Sequence, residues 1–172
     1  MKLYEFIPQK DKRKLSAISS VLLIGAILIM MCTAILGDMP LKWVFQLVSI
    51  VMLTAAIFIT SRYIMKSFVY RIELTDEQRS PDLTVTEFQN RRSITVCRLA
   101  VSSIEKIVVI DQNDKSTLTA TKSRIREEHR KYYNYCSDFM PQKQICVLAT
   151  ECGEQLAVFL TYDSELERML NG

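Results

Sequence analysis

The chain has 172 residues, of which 49% are hydrophobic, and it carries 22 Lys/Arg against 19 Asp/Glu for a net charge of +3. That length holds one small domain plus an anchor and excludes a multidomain enzyme. The charge is unevenly placed: the first 62 residues hold seven basic and three acidic side chains, whereas from Tyr63 onward 15 basic residues meet 16 acidic ones. A near-neutral C-terminal part lacks the basic face that nucleic acid requires, so nucleic acid is not expected as a partner.

Residues 1–14 read as a cytoplasmic basic lead. Its apolar Leu3, Tyr4, Phe6 and Ile7 lie at the interface or pack on the folded part, and Lys10, Lys12, Arg13 and Lys14 follow. Residues 15–62 read as a transmembrane helical hairpin. Leu15–Leu36 and Trp43–Ser61 run 22 and 19 residues without a charged side chain, and each is long enough to cross the ~30 Å hydrocarbon core as a helix. The first run exceeds a signal-peptide core and a second follows at once, so it is not expected to be cleaved. The basic lead before the first run, with Arg62 and Lys66 after the second, predicts both termini on the cytoplasmic side of the plasma membrane. Pro40 suits the turn between the helices, and Trp43 and Tyr63 suit the two interfaces. No ionisable side chain interrupts either run, which leaves an ion or proton pathway without groups to use. The small residues Ser16, Ser19, Ser20, Gly25, Ser49, Thr54, Ala55 and Ala56 are candidates for close helix packing in the membrane.

From residue 63 to residue 172 the period shortens. Phe68–Leu74, Leu83–Phe88, Ser93–Leu99 and Ile104–Ile110 are strand-like and in hairpin succession, with Leu83 and Val85 on one face and Ile94 sharing a face with Val96. Residues 111–131 are polar and read as a solvated loop or short surface helix. Tyr132–Cys136, Gln144–Thr150 and Gln155–Tyr162 resume the strand signal, with Gly153 supplying a positive φ in the last hairpin turn. Ser164-Glu-Leu-Glu167 reads as a capping box opening a helix that buries Leu166, Met169 and Leu170. The expected fold is an α+β membrane protein: a two-helix hairpin, then about seven antiparallel strands in a bent sheet or barrel, closed by a C-terminal helix.

The residues Tyr70-Arg-Ile-Glu-Leu74, Leu83-Thr-Val, Asn90-Arg-Arg92, Ile94-Thr-Val, the step Leu99-Ala-Val-Ser-Ser-Ile-Glu-Lys-Ile107 and the helix at Asp163–Leu170 carry a resemblance. Together with two preceding spans, this pattern resembles the bacterial PH-domain membrane proteins over residues 16–172. The resemblance implies a PH-like domain acting as a membrane-tethered binding or scaffold module, and it implies no catalytic residues. Lipid recognition in PH domains uses a basic first loop, whereas here Thr75–Asp82 holds Arg79 against Asp76, Glu77 and Asp82.

No chemistry of turnover is expected. His129 is the sole histidine and sits in a charged stretch, the four glycines are scattered, and no phosphate cradle exists. Cys32, Cys97, Cys136, Cys146 and Cys152 form no Cys-x-x-Cys pair, so neither a metal nor a cofactor is expected, and a reducing cytoplasm keeps them as thiols. The candidate contacts for a partner or for lipid headgroups are Arg91, Arg92, Lys122, Arg124, Arg126, Arg130 and Lys131. The trio Tyr132, Tyr133 and Tyr135 reads as sheet packing first and a peptide platform second. The leading expectation is a non-catalytic module that binds a protein partner or itself at the cytoplasmic face. Two alternatives are an accessory subunit of a transport system acting through its spans, and a sensor of anionic lipid.

Overall fold

The computed structural model describes residues 2–9, 12–35, 42–74, 80–89, 91–139 and 141–171. The chain forms two units, one from residues 11–66 and one that joins residues 1–10 to residues 67–172. The connector expected at Gly37–Lys42 and the loop at Thr75–Arg79 lie outside the described residues, apart from Lys42.

The smaller unit is a pair of helices, α1 (Lys12–Ile35) and α2 (Lys42–Ile59), and α2 ends in a π-helical turn at Thr60–Ile64. Leu15, Ser19, Ala26 and Thr33 of α1 are buried, as are Ser49, Ala56, Ile59 and Tyr63 on the other strand of the hairpin. Their spacing of three, four and seven residues follows the narrow seam by which long helices pack. Small side chains let the backbones approach closely enough for direct polar contacts. Ser49 Oγ donates to the Ala26 carbonyl at 2.8 Å. Ser19 Oγ donates to the Ala56 carbonyl at 3.3 Å and lies 2.8 Å from Thr60 Oγ1. A Cβ on Gly25 would sit 2.7 Å from Met52 Cε. Ala55 is half-buried, whereas Ser16 and Ser20 face outward and take no part in the seam.

The remaining surface of this unit is apolar. Val21, Val51 and Ile57 are 68%, 66% and 57% exposed. In the most apolar 18-residue stretch of each helix only 11% and 17% of residues are buried. The core helix of a soluble protein hides its apolar side chains; these two helices hide few, and they are long and apolar enough to span a membrane.

The larger unit holds β1 (Lys2–Phe6), β2 (Lys66–Leu74), β3 (Pro81–Gln89), β4 (Arg92–Ala100), β5 (Ile104–Asp111), β6 (Lys131–Asn134), β7 (Lys143–Glu151) and β8 (Glu154–Thr161). It also holds α3 (Lys115–Glu127) and α4 (Ser164–Asn171). The strands make two four-stranded sheets in the orders β1-β2-β3-β4 and β5-β7-β8-β6. Phe68, Tyr70, Ile72, Leu83, Val85 and Leu99 of the first sheet share a core with Ile145, Val147, Val158 and Leu160 of the second. Leu166 and Leu170 of α4 close that core, with Met169 partly buried beside them.

The sheets depart from the expected seven-strand antiparallel barrel in three ways, and no closed barrel forms among the described residues. The N-terminal lead supplies β1, which pairs antiparallel with β2 through Phe6 and Tyr70. The strand at Ile104 belongs to the second sheet, where it pairs with β7. Finally, β6 runs parallel to β8; β5 and β8 are both antiparallel to β7, so β5 and β6 point the same way and the polar stretch between them supplies the long crossover as α3. Asp114 caps α3: its carboxylate accepts from the Thr117 N–H at 3.1 Å and the Ser116 hydroxyl at 2.5 Å. Those hydrogen bonds hold the Asp114 pKa down at about 2. Leu118, Thr121 and Ile125 share one face of this otherwise polar helix, and Leu118 and Ile125 pack with Ile110, Cys136, Cys146, Leu148, Ala157 and Phe159. β7 and β8 are therefore buried on both faces.

Two local corrections have clear causes. Ile94 is 63% exposed and does not share the inner face with Val96. Val85 pairs with Cys97 and Thr86 with Thr95, so Val96 is an extra residue that reverses the alternation. The cap of α4 is Asp163, whose carboxylate accepts from the Glu165 and Leu166 N–H groups at 3.1 Å each. Ser164 is already helical, and a carboxylate is favoured at a helix N-terminus by the dipole. In the β7–β8 turn both Cys152 (φ 50°) and Gly153 (φ 78°) are left-handed, as a two-residue type I′ turn demands.

β1 is fastened to the far end of the chain. The Tyr4 hydroxyl donates to the Asp163 carboxylate, and the Phe6 ring packs 6.0 Å from Tyr70. Burial, then the Asp163 hydrogen bond, raises the Tyr4 pKa well above the ordinary phenol value. Tyr4→Phe is expected to cost about 1–2 kcal/mol in urea unfolding of the detergent-solubilised protein. A soluble chain of residues 66–172 will gain stability when residues 2–9 are joined to its start through a flexible linker. In the hairpin, Ser49→Ala will cost about 0.5–1 kcal/mol of helix association, whereas Gly25→Leu, which drives into Met52, will cost more.

Candidate functional site

The basic side chains read as contact candidates divide sharply once folded. Arg130 is buried, its side chain only 3% exposed, and it is spent inside the molecule. Its Nη2 donates to Glu105 at 2.6 Å, its Nε to Glu128 and its Nη1 to the Ala149 carbonyl at 3.4 Å. Glu105 also accepts from Thr150 at 2.5 Å, and Glu128 from Arg124 at 2.6 Å. Hydrogen bonds from Thr150 and Arg130 hold the Glu105 carboxyl below its ordinary range, and those from Arg124 and Arg130 do the same for Glu128. Burial works against the Arg130 charge, but its two carboxylates outweigh that and raise its pKa. This cluster ties the end of α3 to the second sheet. Lys131 pairs with Glu154 at 2.5 Å at the surface.

Arg91, Arg92, Lys122 and Arg126 are exposed and make no ion pair among the described residues. Arg91 and Arg92 occupy the β3–β4 turn, where Gln89 pairs with Arg92. Lys122 and Arg126 lie on the solvent face of α3. These are two separate groups on different elements.

The edge strand β6 carries the second candidate surface. Of the tyrosine trio only Tyr135 is taken into the core: its ring packs 5.7 Å from Phe68 and its hydroxyl donates to the Val96 carbonyl at 3.1 Å. Tyr132 rests on Phe159 at 5.0 Å and Tyr133 stacks on Tyr135 at 6.2 Å. Both remain open to solvent, at 54% and 39%, and Phe139 in the following loop is 46% exposed. The sequence reading passed over Phe139, although an aromatic residue in the polar run Ser137-Asp138-Phe139 was a usable signal. In that same loop Ser137 Oγ and Asp138 Oδ1 are buried with no hydrogen-bond partner among the described residues. An unpaired buried polar atom marks a place the fold leaves incompletely satisfied. Among the described residues β6 is thus an edge strand carrying exposed Tyr132 and Tyr133 on its two faces, with Phe139 exposed in the loop that follows.

Two of the cysteines, Cys97 and Cys146, are poor nucleophiles. Burial pushes the Cys97 thiol up to about 11 and the Cys146 thiol up to about 12, and the thiolate is the reactive form. The His129 ring nitrogen Nδ1 lies 3.0 Å from the Glu127 carbonyl, and no serine or cysteine among the described residues hydrogen-bonds it. No group of three or more His, Cys, Asp or Glu side chains among the described residues is placed to hold a metal ion.

Arg130→Ala is expected to cost about 2 kcal/mol, below the loss for a fully buried pair because its carboxylates keep partial access to water. Both carboxyls titrate below their ordinary range, so the cluster stabilises the protein at neutral pH and loses that effect as pH falls through those lowered values. The difference between wild type and Arg130→Ala in thermal melts will accordingly shrink on acidification. In comparisons with family models, with curated proteins and with solved structures, nothing matched this chain.

Proposed function

We propose that this chain is a non-catalytic module anchored in the plasma membrane, which presents its folded unit at the cytoplasmic face and binds a protein partner there. Three features support the reading. The two helices have an almost wholly apolar exterior that lipid would cover. They are inserted between β1 and β2, two paired strands of one sheet, so both ends of a membrane-spanning hairpin must emerge on the same side. The positive residues Lys10, Lys12, Arg13, Lys14, Arg62 and Lys66 favour the cytoplasmic side for that pair of ends.

The observation that carries the binding role is β6, with Tyr132 and Tyr133 exposed on a strand that has no outer neighbour among the described residues and Phe139 exposed in the loop after it. Aromatic side chains with an apolar body and a polar tip are favoured anchors at interfaces, and an open strand edge accepts an extended partner segment. The reading does not depend on the PH-like resemblance.

Photo-crosslinking from position 139 in the full-length protein in native membranes tests the proposal. A discrete adduct with a second protein is expected from this position, reduced about tenfold or more by Tyr132→Ser with Tyr133→Ser, while a thermal melt confirms folding. Adducts formed from outward positions of the helices, such as Val21 or Val51, with none from position 139, would replace this reading with that of an accessory subunit acting through its spans.

A further inference from the structure

The register of the first sheet sets the β3–β4 turn beside the points where the hairpin joins the folded unit. β1 leads into α1 after Phe6, which pairs with Tyr70. β2 begins at Lys66, with Met65 alone separating it from the end of the π-helical turn at Ile64. β2 and β3 are neighbours joined by a short connector and therefore antiparallel. Thr84 Oγ1 donates to the Arg71 carbonyl at 3.3 Å, which brings those residues level. Following the two strands from there in opposite directions brings Lys66 level with Gln89, and Gln89 is the partner of Arg92. Lys66, Gln89 and Arg92 thus form one row across the end of the sheet from which the helices depart.

Along the chain, this row begins two residues after the last turn of the second helix. Neighbouring strands are spaced about 4.8 Å apart, so Arg92 is roughly 10 Å across the sheet from Lys66. Met65 adds only about two Cα–Cα steps of 3.8 Å between Ile64 and Lys66. The charge of the two sheet ends differs in the same sense. Gln89, Asn90, Arg91, Arg92 and Ser93 carry two bases and no acid, with Glu87 flanking them, while the connector at the opposite end of β2 and β3 carries Asp76 and Glu77 against Arg79, flanked by Glu73 and Asp82.

The geometry points to Arg91 and Arg92 as a binding site for the phosphate groups of anionic phospholipid in the leaflet from which the folded unit emerges. Both side chains are exposed and make no ion pair among the described residues. The planar guanidinium donates two parallel N–H bonds to a phosphate, and arginine near an anionic surface gains attraction that a neutral bilayer does not offer. This inference rests on the hairpin spanning the bilayer, and resistance to alkaline carbonate extraction checks that anchor independently of any lipid preference.

The test is amide hydrogen exchange over residues 88–94 of the full-length protein. It is reconstituted in phosphatidylcholine vesicles, in the same vesicles with added phosphatidylglycerol, and in phosphatidylcholine with inorganic phosphate in solution. Phosphatidylglycerol is expected to slow exchange in this turn, by up to roughly thirtyfold for two arginines, and added salt will weaken the effect. Arg91→Gln with Arg92→Gln will remove the dependence on phosphatidylglycerol while leaving exchange in β7 and β8 unchanged, which shows that the variant is folded. Four outcomes overturn the proposal for a carbonate-resistant protein: equal exchange with and without phosphatidylglycerol, an undiminished lipid effect in the double variant, protection by free phosphate alone, or protection that appears only when an acidic protein partner is supplied.

Discussion

The pairing of β1 with β2 organises the whole chain. It joins residues on either side of a hairpin of about fifty residues, and Tyr4 extends the join to Asp163 near the other end of the sequence. One carboxylate serves two purposes there: it satisfies the first N–H groups of α4 and accepts the phenol of β1. The N-terminal strand and the C-terminal helix are thereby held against one core, and that core includes Phe6, Tyr70, Leu166 and Leu170. Without this closure the first sheet would end at β2, with its tyrosine and isoleucine side chains losing cover from Tyr4 and Phe6.

The second sheet meets a different constraint. Its strands β7 and β8 read as continuous apolar runs because both faces are covered, by the first sheet on one side and by α3 on the other. Helix α3 contributes few apolar residues, so its hold on the sheet depends on the polar cluster around Arg130. A buried guanidinium with two carboxylates contributes direction more than net stability, since desolvation opposes the Coulomb gain. It fixes where the crossover ends and β6 begins. The aromatic edge of β6 inherits its position from that buried charge.

Much of this was readable in the residues. The strands at Phe68, Leu83, Ser93, Ile104, Gln144 and Gln155 show as β-branched or alternating runs, and the helical hairpin as two uncharged stretches. Each of these signals is local. What stayed hidden depends on partners distant in the chain. Lys2–Phe6 has only a short alternation and gains its strand from β2, far along the sequence. Helix α3 is polar because it needs only Leu118, Thr121 and Ile125 on its buried face, which composition averages away. Arg130 looks like any member of a basic run until Glu105 and Glu128 close around it. The bulge at Val96 leaves no trace in the pattern, because an inserted residue preserves the alternation on each side of it while exchanging the faces. The exposed edge of β6 was half legible: its tyrosines were evident, but which of them the core would claim was a matter of packing.

The placement of β1 also imposes an order on biosynthesis. The first strand leaves the ribosome before either helix, yet its partner strand is made only after both, and the carboxylate that fastens it follows later still. Until β2 is made the five residues of β1 stay unpaired beside a long apolar helix, while loop closure over that interval opposes early pairing. The first sheet can be completed only once β2, β3 and β4 have been synthesised, so it closes after both apolar helices have been made.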